Sequence, residues 1–166
     1  MSREKRNEAV VRGFTDVVMN AGHVERIREF LADTFVDHTP MAGQATGIDG
    51  VVQFVTTLRR AFPDFHETIE CAVAQGDLVA VRVTGRGTHL GEYLGVGPTG
   101  RVITFAGMGM LRVVDGRETE HWGYPDVTGV LGQLGWTLPS LATVDAEAAV
   151  AHRADRAQSG AGGEAV

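Results

Sequence analysis

A change of hydrophobic period at Pro63 constrains the fold of this chain more than any other feature. Before Pro63, apolar residues recur at steps of three and four, the spacing of amphipathic helices. This spacing predicts helices over 3–20, 24–31 and 48–62, with an irregular stretch over 35–47. Pro63 ends the third helix because it cannot continue the hydrogen-bond ladder.

After Pro63 the hydrophobic period falls to near two, and β-branched residues become frequent. The pattern predicts four strands, over 68–74, 78–88, 101–114 and 117–124. Short turns are expected where Gly and Asp stand side by side, at 75–77 and 115–116. Helices followed by an antiparallel meander are typical of an α+β protein.

A lone twisted sheet must cover its apolar face, and the preceding helices are the only material available to do so. The chain has 166 residues, of which 43% are hydrophobic, enough for one core. We therefore expect one α+β domain over residues 1–144, in which N-terminal helices pack on a curved, mostly antiparallel sheet. Together they would form a cone-shaped barrel around a pocket. Residues 145–166 are rich in Ala, Gly and charge and predict a mobile tail.

Composition excludes several classes of function. The 15 basic and 21 acidic residues give a net charge of −6, and the basic residues are scattered, which argues against nucleic-acid binding. No apolar run is long enough to span a membrane and the start of the chain is polar, so we expect a cytoplasmic protein. The single cysteine, Cys71, is expected to be a packed thiol. Metal-ligand spacings and phosphate-binding glycine motifs are both missing, which predicts no metal and no cofactor.

Four ionisable residues fall at predicted strand ends or loops around the rim of the pocket, namely His38, His66, His89 and Asp126. A histidine flanked by apolar residues is more often structural than catalytic, so each histidine alone is a weak candidate. Asp126 is stronger. An extended 117–126 segment would place its side chain on one face with those of Glu120, Trp122 and Tyr124.

A carboxyl group beside flat apolar side chains has a raised pKa and can take and return a proton. The alternative is that Asp126 caps a helix beginning at VTGVLGQLG. On the same alternation His121 would lie on the opposite face, so it ranks below the other histidines.

Several segments together carry a family resemblance. They are residues 62–101, the GMGMLR and DGR strings, and TEHWGYPDVTGVLGQLG, with the VDHTP segment upstream. In this order they resemble the SnoaL-like polyketide cyclases, small enzymes of the nuclear-transport-factor-2-like, cone-shaped α+β fold. The resemblance covers about residues 5–138.

The resemblance implies an enzyme that closes a ring in an aromatic polyketide ester, such as an anthracycline precursor, by a cofactor-independent intramolecular aldol reaction. It implies Asp126 as the acid/base and a homodimer or homotetramer. The residues that it implies for substrate binding are His38, His66, His89, Trp122 and Tyr124.

One departure keeps other functions open. Aldol-cyclase members carry a supporting histidine on the penultimate strand, whereas ITFAGMGMLRV here has none. The chain could instead assist hydroxylation of a polyketide, or it could bind a small molecule without turnover.

Overall fold

A computed structural model gives the structure of the chain and describes residues 1–136. Its helical part begins with α1, Arg3–Phe14, which continues directly as a π-helix, Thr15–Asn20. Ser2 caps α1 by accepting a hydrogen bond from the Lys5 N–H (3.3 Å). A 3₁₀ helix follows at Val24–Glu29, and α2 spans Gly47–Ala61. The predicted helices over 3–20 and 48–62 are therefore confirmed, with a π-helical second half in the first.

The predictions of a helix over 24–31 and of an irregular stretch over 35–47 are both wrong in part. The helical segment stops at Glu29, and Leu31–Asp37 forms a strand, β1. Its buried residues, Leu31 and Phe35, are four apart, a spacing that imitates one face of a helix. A register shift between Leu31 and Val36 interrupts the alternation of the strand. Pairing with a distant strand therefore outweighs the local pattern.

The four predicted strands are confirmed to within two residues at each end, as β2 (His66–Gln75), β3 (Leu78–Thr88), β4 (Val102–Val114) and β5 (Arg117–Pro125). The sheet order is β1-β5-β4-β3-β2. Neighbours from β2 to β5 are antiparallel, and β1 adds a parallel edge beside β5. The β4–β5 turn has positive φ at Asp115 (50°) and Gly116 (77°), as a tight hairpin requires.

The helices pack on one face of this five-stranded sheet, which is mixed and not closed. Met1–Gly135 form one compact unit, and the predicted cone-shaped α+β fold is confirmed. The main core contains Val18, Val55, Phe62 and Ile103, all fully buried. A second cluster gathers around Val11 and residues of β3 and β4.

A short last helix, α3, spans Val127–Leu134 and ends at Gly135, whose φ of 96° suits glycine. Its Gln133 side chain bonds the backbone N–H and C=O of Thr104, both at 2.8 Å, which fastens α3 to β4. The predicted tail over 145–166 and the domain limit at 144 lie outside the described residues. Within residues 1–136, no helix is both long and apolar enough to cross a membrane.

Candidate active site

A cavity of about 240 Å³ lies between the helices and the inner face of the sheet. Its lining draws on both core clusters, so it occupies the gap between them. Val11, Leu31 and Glu118 line it and are at most 3% exposed, which marks the closed end. Leu94 and Tyr124 also line it but are 42% and 69% exposed, which marks the mouth. The lining is mostly apolar, as expected for a pocket that takes an apolar molecule.

Strand β5 brings two ionisable groups, Glu118 and His121, into the cavity. A bulge at Thr119 places Val113 opposite Glu118 and Arg112 opposite Glu120. As a result, Glu118 and His121 both line the cavity although they are three residues apart. His121 lies on the face opposite Glu120 and Trp122, as the predicted alternation has it, but it is the His121 face that lines the cavity. Glu120 instead bonds Arg112 on the outer face of the sheet (2.6 Å).

His121 forms a hydrogen bond with Asp37 at the end of β1, with 3.2 Å between Nδ1 and Oδ1. Asp37 also accepts hydrogen bonds from the Thr39 N–H (3.0 Å) and the Gln44 side chain (3.3 Å). Burial acts to raise the pKa of Asp37, but the bonds from His121, Thr39 and Gln44 outweigh it and lower the pKa. An ionised Asp37 only accepts, so Nδ1 of His121 is the donor in this bond and Nε2 is the ring nitrogen left to bond a ligand.

Two glycines leave room for the imidazole. Gly109 of β4 pairs directly with Gly123 of β5, so this part of the inner face carries no side chains. A Cβ atom at position 123 would lie 2.6 Å from Cε1 of His121, and one at position 109 would lie 3.6 Å from Nε2. The imidazole ring therefore lies against the backbone at Gly123, two residues further along the same strand.

Two further carboxyl groups line the cavity. Glu118 is 2% exposed, and burial raises its pKa to about 8. Burial also raises the pKa of Glu67 on β2, against an opposing hydrogen bond from Thr15. The cavity thus combines one carboxyl held ionised, Asp37, with one that stays protonated at neutral pH, Glu118. Groups whose pKa values are driven apart in this way are typical of acid/base sites.

The family model for SnoaL-like polyketide cyclases matches residues 9–134. The chain belongs to this family. Aklanonic acid methyl ester cyclase DnrD of Streptomyces peucetius is 30% identical over 135 residues, covering 80% of this chain and 88% of its own length.

Among SnoaL-like solved structures, IdmH of Streptomyces antibioticus, a putative polyketide cyclase, is 36% identical with a TM-score of 0.70, covering 78% of this chain and 99% of its own. AclR of Streptomyces galilaeus, a putative hydroxylase, is 28% identical with a TM-score of 0.71, covering 82% and 99%.

In this SnoaL-like chain, Asp126 is the N-cap of α3. Its Oδ1 accepts a hydrogen bond from the Gly129 N–H at 2.8 Å, which is the helix-cap alternative weighed from the sequence. The side chain is not part of the cavity lining; it borders an open depression next to the cavity, and the two share Gly107 and Tyr124 in their linings. Its catalytic role stays a prediction.

The residues predicted to bind substrate do not come together. His38 stacks on Trp122 on the outer face of the sheet, with ring centroids 4.5 Å apart, and its Nε2 lies 2.8 Å from Glu120. His66 is exposed at the start of β2. His89 is fully buried against Phe62, and burial lowers its pKa. Among the described residues of this predicted set, only Tyr124 lines the cavity.

Asp37, Glu67 and Glu118 line the cavity but were not predicted from the sequence, and His121, which also lines it, was ranked below the other histidines. Asp37 stands in the same VDHTP segment as His38, but the sequence did not predict β1, the strand that places the Asp37 side chain in the cavity. A signal for His121 was present, because glycines inside strands at positions 109 and 123 indicate a close approach by another group. No local sequence pattern indicates that Glu118 is buried, because its burial depends on the bulge at Thr119.

Proposed function

We propose that this protein catalyses a cofactor-independent intramolecular aldol ring closure of an aromatic polyketide ester, with His121 as the general base. The observation that carries the proposal is the His121–Asp37 pair inside an apolar cavity. Membership of a cyclase family supports the reaction class, and the likeness to aklanonic acid methyl ester cyclase supports an anthracycline-type ester as substrate.

In this mechanism Nε2 of His121 removes a proton from the carbon between two carbonyl groups of the substrate. The resulting enolate attacks a ketone carbonyl in the same molecule, one carbon–carbon bond forms, and the alkoxide takes up a proton returned by the imidazolium. The product is therefore an isomer of the substrate. Asp37 holds the ring in place and stabilises the imidazolium. The conjugated substrate delocalises the enolate charge, and the apolar lining keeps water out.

Asp126 is the competing base, implied by the family resemblance. For it to act, its carboxylate would have to leave the Gly129 N–H and reach the cavity. Asp126→Asn is a clean test because asparagine is as good an N-cap as aspartate, so the variant removes the base and keeps α3.

The deciding experiment offers a linear tricyclic polyketide methyl ester to the wild type, His121→Gln, Asp37→Asn and Asp126→Asn, without oxygen or added cofactor. We expect the wild type to form a ring-closed isomer, His121→Gln to lose roughly 10²- to 10⁴-fold in rate, and Asp126→Asn to keep most activity. Loss confined to Asp126→Asn would transfer the role of base to that residue. No isomer from the wild type would refute ring closure.

A second candidate function is assistance in hydroxylating a polyketide, favoured by the likeness to the putative hydroxylase AclR. Adding oxygen and a reductase to the same assay tests it, because the product would then be heavier by one oxygen atom.

We also propose a homodimer or homotetramer that acts in the cytoplasm. The outer face of the sheet is apolar in the β4–β5 region, where Met108 is 63% exposed and Met110 is 39% exposed. A second copy of the chain is the expected occupant of this face.

A further inference from the structure

Glu118 is an ionisable residue whose burial the mechanism above does not use. It is 2% exposed at the closed end of the cavity, and its Oε1 has no hydrogen-bond partner among the described residues. A buried polar atom without a partner costs free energy of folding, so it calls for an explanation. Its backbone N–H is bonded to the Phe30 carbonyl at 2.7 Å, so the unpartnered atom belongs to the side chain alone.

The surroundings of Glu118 keep its carboxyl group neutral. Leu31 of β1 and Val113 of β4 stand opposite it in the sheet, and α1 contributes the apolar Val11 to the same end of the cavity. Burial alone raises its pKa, with no contribution from a charged side chain. The carboxyl group therefore carries a proton at neutral pH and can donate it in a hydrogen bond.

Other titratable groups that line the cavity could also respond to pH. They are Asp37 on β1, Glu67 on β2, Tyr93 in the β3–β4 loop, and His121 and Tyr124 on β5. The lining residues of α1, α2, α3, β3 and β4 are not titratable. A test that varies pH must therefore compare variants of Glu118 at each pH.

We propose that Glu118 is a substrate-binding residue that donates a hydrogen bond to a carbonyl oxygen at the leading end of an apolar polycyclic ligand. The carboxyl group lies about 10 Å or less along β5 from His121, since three residues of strand span that distance. A ligand that reaches the closed end would therefore be anchored there while another part of it lies beside the imidazole. Glu118 would thus select which end of the polycycle enters first.

This proposal rests on the proposed function only in that the ligand is a carbonyl-bearing polycycle, and its test needs no turnover. The probes are 9-fluorenone, which has one carbonyl group, and fluorene, the same rings without it. Dissociation constants are measured by equilibrium dialysis at pH 6 and pH 9.5 for the wild type, Glu118→Gln and Glu118→Met. Glutamine keeps a neutral donor at both pH values, and methionine keeps the length of the side chain without one.

At pH 6 the wild type should prefer fluorenone over fluorene by roughly three- to tenfold, the effect of one neutral hydrogen bond. The preference should fall at pH 9.5 as Glu118 ionises, persist at both pH values in Glu118→Gln, and vanish in Glu118→Met. A preference that survives in Glu118→Met, or no binding of fluorenone to the wild type, would overturn the proposal. If the protein closes the ring but shows no preference for fluorenone over fluorene, the proposed function holds and the proposed role of Glu118 fails.

Discussion

At the scale of single residues, the absence of a side chain at position 123 decides where the His121 ring can lie. Gly123→Ala would place a methyl group 2.6 Å from Cε1, a distance that carbon atoms do not tolerate, so the imidazole must move away from Asp37. We expect kcat/KM for ring closure to fall roughly 100-fold, the cost of a displacement of about 1 Å in a catalytic group. Steady-state kinetics on the tricyclic ester measures it.

Gly132→Ala, at an exposed position of α3, is the control. Its methyl group would meet no atom within 4 Å and lies outside the cavity lining, so this variant should keep its activity within a few-fold and show the same circular dichroism as the wild type. Equal activity in the two alanine variants would argue against His121 as the base.

The burial of Glu118 also predicts how the free energy of unfolding depends on pH. Its pKa is about 8 in the folded chain against 4.5 when free, so between these values the folded state holds a proton that the unfolded state has lost. Stability contributed by this group is fully present below pH 4.5 and is lost as pH rises to about 8, by up to ~1.4 kcal/mol per pH unit.

In Glu118→Gln the side chain at this position cannot ionise, so the variant does not lose this stability as the pH rises. The free energy of unfolding of the variant minus that of the wild type should therefore increase from pH 5 to pH 8, as measured by urea denaturation followed by circular dichroism. A constant difference over that range would show that Glu118 is not protonated in the folded chain.

At the scale of elements, α3 depends on Asp126 for its start. Asp126→Ala removes the acceptor of the Gly129 N–H and should lower the free energy of unfolding by about 1 kcal/mol, whereas Asp126→Asn should change it little. Urea denaturation of both variants measures this. Equal destabilisation by the two substitutions would show that the cap does not account for the effect of Asp126.

The strands show where local sequence stops being informative. β2 to β5 alternate cleanly and are joined by short turns, so their positions follow from the sequence. The position of β1 does not follow from the sequence. Its buried residues Leu31 and Phe35 are four positions apart, as in a helix, and its partner strand is more than 80 residues away. The inner face of β5 could not be predicted either, since the aromatic Trp122 and Tyr124 look like core residues while the bulge at Thr119 turns Glu118 inward.

At the scale of the whole molecule, the fold and the family were accessible from the sequence because they depend on many residues at once. The site depends on a few side chains from distant segments. Asp37 and His121 are 84 positions apart, and their contact exists only because β1 adds to the sheet in parallel beside β5. A one-residue error in register is enough to exchange the inner and outer faces of a strand.

The outer face of the sheet makes a prediction about assembly. Met110 stands beside Trp122 across the β4–β5 pair and is 39% exposed, so a lysine there would place a charge within an apolar contact. We expect Met110→Lys to be monomeric and the wild type to be a dimer or tetramer in light scattering after gel filtration. Arg86→Lys, at an exposed position on β3, is the control that should leave the mass unchanged. A monomeric wild type would refute the assembly.

The apolar mouth of the cavity, with Leu94 and Tyr124 open to solvent, has a practical consequence for handling this protein. Environment-sensitive dyes such as anilinonaphthalene sulfonate fluoresce when they enter apolar surfaces, and they are usually read as reporters of unfolding. Here the native chain offers them a site. A bright baseline at low temperature that dims when fluorenone is added would therefore report occupancy of the cavity, and it would turn a routine melting dye into a competitive assay for ligands.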